Sequence, residues 1–165
     1  MYYIIRIWIL PAFVCCVHAS GQLCSEDNVQ TVGRVVFGEA RGEPREGQIA
    51  VAYSIVNRIK HEGYPNSLTA VVNQTTETGG YQYHTLDLES HTQAWNEAKV
   101  EQTLEYNNTI EASRDVLCVG VKDPTTCATD FCALDPCPAT ASNPWWTTIN
   151  KIKIGNHYFV CKVPA

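Results

Sequence analysis

"GEARGEPREGQIAVAYSIVNR" runs from Gly38 to Arg58 and places Glu39 and Glu43, each beside a glycine, ahead of Pro44 and an apolar stretch of helical character. Upstream, "SEDNVQTVGRVVFGEA" offers Ser25 as an N-cap with acids in the first turn, then Val29, Val32, Val36 and Ala40 at helical spacing. These residues predict a helix ending near Glu39. Downstream, "GQIAVAYSIVNRIK" sets Ile49, Ala52, Tyr53, Val56 and Ile59 on one broad apolar face, with Gly63 expected at the C-terminal cap. The quoted stretch is therefore read as a helix, a break and a second helix.

The two acids sit at opposite poles of that break. Glu39 falls in the last turn of the first helix, where the negative end of the dipole opposes ionisation. Glu43 precedes Pro44, which suits a first helical position, and Glu46 follows in a capping-box arrangement, so Glu43 is expected to face a positive helix end and stay ionised. Nearby carboxyl groups whose settings push them apart form a pattern of acid-base chemistry. Capping alone accounts for Glu43. It accounts poorly for Glu39, since an acid at a helix C-terminus costs a few tenths of a kcal/mol. Arg41 is within sequence reach of either acid, and Gln48 is expected to bond toward Glu39.

Outward from the corner, "NSLTAVV" reads as a short helix capped by Asn66 or Ser67, and "TTETGGYQYHTL" as a loop or small β excursion. Glu89 to Leu117 is helix-prone, as two helices with a break expected near Asn107-Asn108. "KIKIGNHYFVCKV" is expected to turn back at Gly155-Asn156 as a hairpin, or to run irregularly, pinned by Cys161. Trp145 and Trp146 suit covering a core more than stacking on a sugar.

The first twenty residues carry Arg6, an apolar run and Val17-His18-Ala19, which together predict a signal peptide over 1–19 and one domain over 20–165. The run falls short of the about 20 residues that span a bilayer. Secretion into an oxidising compartment then makes Cys24, Cys118, Cys127, Cys132, Cys137 and Cys161 about three disulfides, with the pairing left open. Asn73 and Asn107 open glycosylation sequons. A formal net charge of −5 disfavours nucleic acid as a partner, and binding to an anionic wall polymer would rest on short-range contacts. His61, His84, His91 and His157 lack the spacing of a zinc motif, so no metal or other cofactor is expected. A signal anchor is the competing reading of the first apolar run, no later segment is long and apolar enough to cross a membrane, and no membrane partner and a monomer are expected.

The stretch from Val35 to Ile59 resembles the catalytic core of cell wall hydrolases of the spore cortex-lytic type, with its Gly-Glu-Ala-Arg-Gly-Glu-Pro run, Gly-Gln and a helix ending in Asn-Arg. Further echoes are "YPNSLTAVV", "GGYQYHT", "VLCVG", "ATDF" and "KIGNHYF", so the resemblance covers Asn28 to Phe159. It implies an α+β, mainly helical, lysozyme-like domain that cleaves the glycan strand of peptidoglycan, with Glu39 as general acid. Glu43, Gln82, Tyr83, His157 and Tyr158 are its implied substrate-contacting residues. The cysteines, the sequons and the "CATDFCALDPCPATASNPWW" segment depart from the bacterial pattern, point to a secreted animal relative, and leave chitin beside peptidoglycan as a substrate. The competing readings are a non-catalytic module that binds wall or chitin glycans, and a zinc-dependent peptidoglycan amidase.

Overall fold

A computed structural model describes residues 23–134 and 151–162. The order is helix α1 (Glu26–Ala40), α2 (Arg45–Lys60), α3 (Leu68–Val72), a 3-10 turn (His84–Leu86), α4 (Glu89–Glu101) and α5 (Leu104–Arg114). A π-helical turn (Asp115–Val119) and strands β1 (Asp130–Cys132), β2 (Ile152–Ile154) and β3 (His157–Val160) complete it. The mainly helical α+β expectation holds. The expected signal peptide over 1–19, Cys137 and the Trp145-Trp146 pair lie outside the described residues.

Helix α1 forms as its sequence dictates. Ser25 Oγ accepts from the Asn28 N–H, Glu26 and Asp27 meet the positive helix end, and Val29, Val32, Val35 and Val36 are fully buried. Helix α2 departs from the one-faced expectation. Ala50, Val51, Ala52, Ser54 and Ile55 have no exposure while Ile49, Tyr53 and Ile59 are half-buried, because α2 runs through the middle of the core instead of lying on it. It ends at Lys60 with His61 in an extended conformation, so Gly63 is not its cap. The break between α4 and α5 comes at Gln102-Thr103, not at Asn107-Asn108. Gln102 turns left-handed (φ 53°), and Thr103 caps α5 through the Tyr106 N–H, leaving Asn107 in the first turn.

Of the two readings of the tail, the hairpin is the one that forms, and it belongs to a three-stranded antiparallel sheet of order β1-β3-β2. Phe131 pairs with Phe159, and Ile154 with His157. Two disulfides staple the ends to the body. Cys24–Cys118 ties the start of α1 to the π turn, and Cys127–Cys161 ties the approach to β1 to the end of β3. Cys132 is also disulfide-bonded.

Two close approaches fix how the smaller pieces sit on the helices. A Cβ on Gly38 would lie 1.6 Å from Thr85 Oγ1, so the 3-10 turn rests on α1 at a spacing that only glycine permits. Gly155 turns the hairpin at φ +59°, and a Cβ there would lie 2.0 Å from Glu43 Oε2. The Glu43 carboxylate is consequently occupied by the hairpin, accepting from the Asn156 N–H at 2.8 Å and from Asn156 Nδ2 at 3.0 Å. This corrects the capping-box expectation: α2 begins at Arg45 behind Pro44, with no side-chain cap. Burial opposes ionisation of Glu43, but the two Asn156 bonds and the nearby His157 outweigh it and hold the carboxyl below its ordinary value.

Gly38→Ala is expected to destabilise the fold by about 1–3 kcal/mol in urea titration, because the 3-10 turn must be pushed off α1. Glu43→Gln should lower the urea midpoint at pH 7. A depressed pKa contributes stability above the unfolded value of about 4.3 that is lost as the pH falls through the lower folded value, so the gap to wild type should close below pH ~4. A gap unchanged at pH 2 would assign the effect to shape instead of charge.

Candidate active site

The corner between α1 and α2 is built by main-chain bonding and by one buried amide. The Glu43 N–H closes the turn onto Ala40 O at 3.0 Å, and Gln48 donates through Nε2 to Arg41 O at 3.4 Å and Glu43 O at 3.3 Å. Gln48 thus ties the corner loop to α2 and does not reach Glu39. Arg41 stacks over the Phe37 ring at 5.0 Å and donates to Phe37 O at 3.5 Å.

Glu39 is half-buried in the last turn of α1. Its Oε1 accepts from the Thr85 N–H at 3.1 Å. An N–H can only donate, so a proton on this carboxyl sits on Oε2, which has no hydrogen-bond partner among the described residues. Thr85, 2 % exposed, is the junction of the site. Arg34, one turn before Gly38, brackets it by donating through Nη1 to Thr85 Oγ1 and through Nη2 to Thr85 O, both at 3.2 Å. His91 Nδ1 lies 3.0 Å from the same hydroxyl. Burial pulls the Arg34 guanidinium below its ordinary value, and the charge of Glu39 works against that shift. The helix end, the 3-10 turn and the start of α4 therefore converge on one carboxyl group.

The remaining expected contacts divide. Gln82 is exposed, one residue from Tyr83 and three from Thr85. Tyr83 is a core residue: it is 2 % exposed, with the buried Arg58 guanidinium 4.9 Å above its ring. This corrects its expected place against substrate, since the ring is enclosed. His157 is half-buried between Phe131, edge to face at 5.4 Å, and Glu43, with Nδ1 3.9 Å from Oε1. Tyr158 is half-buried under the Lys153 ammonium at 5.1 Å. Asn73 and Asn107 are both exposed, and Asn107 Nδ2 donates to Gln102 O at 2.9 Å.

Asn57 and Arg58 act structurally, as the end of a helix that meets the sheet. Asn57 Nδ2 bonds Asp123 and Ala128 O, while Arg58 Nε donates to Thr129 O at 2.7 Å and Nη2 meets Asp130 at 3.4 Å. Tyr64 donates to the same Asp130 carboxylate at 2.5 Å, and burial with that charge pushes its phenol well above the ordinary value. The histidines are dispersed, with His61 between Gly63 N and Lys162 O, and no trio of metal-ligating side chains occurs among the described residues. Three surface hollows among those residues are lined without the half-buried Glu39.

Sequence reasoning singled out neither Arg34 nor Thr85. A signal for Arg34 was present: a guanidinium one turn ahead of Gly38, within the run Val32 to Val36. Thr85 had none, because its importance lies in a main-chain N–H that every residue but proline carries.

With this geometry in view, the likeness to known proteins becomes specific. The spore cortex-lytic enzyme of Bacillus cereus is 31 % identical over 143 residues, covering 84 % of this chain and 45 % of that protein. That of Bacillus subtilis is 44 % identical over 48 residues, 29 % of this chain and 16 % of that protein. The chain thus spans less than half the length of the curated relatives it matches. The catalytic domain of the germination-specific lytic transglycosylase SleB from Bacillus anthracis has the same fold, with a TM-score of 0.55 and 30 % identity, over 84 % of this chain and 97 % of that domain. A family model described as Cell Wall Hydrolase matches residues 42–160. On a match across most of its length and a fold shared with nearly all of a relative's catalytic domain, this chain belongs to the cell wall hydrolase family.

Proposed function

We propose that the protein is a secreted lytic enzyme that cleaves the glycan strands of peptidoglycan, with Glu39 as its general acid. One observation carries the acid assignment: the half-buried Glu39 carboxyl is fixed by the Thr85 amide at Oε1, while Oε2 has no hydrogen-bond partner among the described residues. The family model begins at Gly42, so the role of Glu39 rests on this geometry and on the resemblance of the Gly38–Pro44 run. The name of the Bacillus anthracis relative supports the reaction class. The disulfides Cys24–Cys118 and Cys127–Cys161 support an oxidising destination outside the cell.

Protonated on Oε2, Glu39 gives its proton to the glycosidic oxygen as positive charge develops on the sugar ring. The Thr85 N–H stabilises the carboxylate left behind. The same carboxylate then takes the proton of the sugar's own 6-hydroxyl, whose oxygen closes a 1,6-anhydro ring as the leaving strand departs. A single carboxyl group serves both steps, consistent with Glu43 being committed to the hairpin through Asn156. Glu43 and His157 brace the turn beside the corner, and Gln82 and Tyr158 offer polar edges to a bound strand.

Digestion of purified peptidoglycan is expected to release fragments ending in 1,6-anhydro sugars, identified by mass spectrometry, and Glu39→Gln should lower the rate by at least ~10²-fold. New reducing ends in place of anhydro ends would assign hydrolysis instead. Retention on the insoluble polymer with neither kind of end would assign a binding module. Parallel digestion of chitin tests the substrate.

A further inference from the structure

Arg34 is a half-buried guanidinium whose side-chain bonds go to the 3-10 turn and the first turn of α4, and the proposed chemistry leaves it without a part. It lies on α1 one turn before Gly38, and it holds the Thr85 hydroxyl, the Thr85 carbonyl and Thr92 Oγ1 at 3.1–3.2 Å. The amide on the other side of the same residue donates to Glu39. Gly38 removes the side chain that would otherwise stand between α1 and Thr85. His91 closes the arrangement from α4.

From this clamp we infer that Arg34 is a positioning residue for the reaction: it reaches no substrate, and it acts through Thr85 to aim the Glu39 carboxyl. The proposal rests on Glu39 being the acid. A short 3-10 turn has little stiffness of its own, since its hydrogen bonds are few and poorly aligned. The planar fork of Arg34 supplies that stiffness, because two nitrogens in fixed geometry grip two oxygens of one residue and leave it a single orientation. The Thr85 N–H is thereby pointed at Oε1, which selects Oε2 as the atom that carries the transferable proton. Lysine keeps the charge of Arg34 but presents one ammonium group in place of the fork, so it cannot hold the hydroxyl and the carbonyl together.

The test compares Arg34→Lys, Thr85→Val and Thr85→Ser on soluble glycan strands, with folding checked by circular dichroism. Arg34→Lys and Thr85→Val are expected to lower kcat by about tenfold or more with KM within about twofold, since a misaimed acid affects the reacting geometry and not the binding of the strand. Thr85→Ser, which keeps the hydroxyl, should recover most of that loss. A second measurement is independent of turnover: the amide resonance of Thr85 should shift as Glu39 titrates, and Arg34→Lys should at least halve that shift. Unchanged kcat in folded Arg34→Lys, a loss confined to KM, or a Thr85 amide indifferent to Glu39 would each overturn the role. Glu39→Gln separates the two claims. Full rate in that variant overturns the acid reading beneath this proposal, whereas an inactive Glu39→Gln beside a fully active Arg34→Lys overturns the positioning role alone.

Discussion

The Thr85 side chain presses on α1 at the one position, Gly38, where the helix has no Cβ to meet it. A 3-10 turn cannot be held against a helix by its own hydrogen bonds, so the contact has to be made by shape and by the Arg34 fork. With that contact in place the Thr85 amide reaches Glu39. Any side chain at position 38 would push the turn outward, and both the fork and the amide would lose their partners. The glycine ahead of Glu39 therefore serves the acid indirectly, by admitting the residue that orients it.

The two glutamates of the corner do different work, and the division follows from their neighbours. Glu43 faces the hairpin, where two donors of Asn156 satisfy it and His157 Nδ1 stands 3.9 Å from Oε1. The half-buried Glu39 has a single donor among the described residues, at one of its two oxygens. A carboxylate saturated with hydrogen bonds is a structural anchor, whereas one held at a single oxygen keeps the other for chemistry. Gly155 mirrors Gly38 in this respect: each lets a distant segment come within bonding distance of one acid.

Much of the helical framework could be read directly. Val29, Val32, Val36 and Ala40 recur at helical spacing and are buried, and Ser25 caps as its residue type suggests. Reading failed where a local signal competed with a tertiary one. Asn107-Asn108 resembles a break, yet Thr103 is the better N-cap, and Leu104 to Arg114 stays helical against α1. Gly63 resembles a cap, yet α2 ends earlier because Asn57 and Arg58 are drawn to the segment that leads into β1. Tyr83 suggested a groove-lining ring, but the guanidinium of Arg58 encloses it.

The amino-acid sequence by itself determined the helix-break-helix corner, the cysteines available for stapling and the presence of two acids beside a break, because periodicity, capping and turn residues act over a few positions of chain. Which acid would be satisfied and which left with an open oxygen was decided by residues 46 and 113 positions away, Thr85 for Glu39 and Asn156 for Glu43. The donor in the first case is a main-chain N–H, and only the folded chain can aim it.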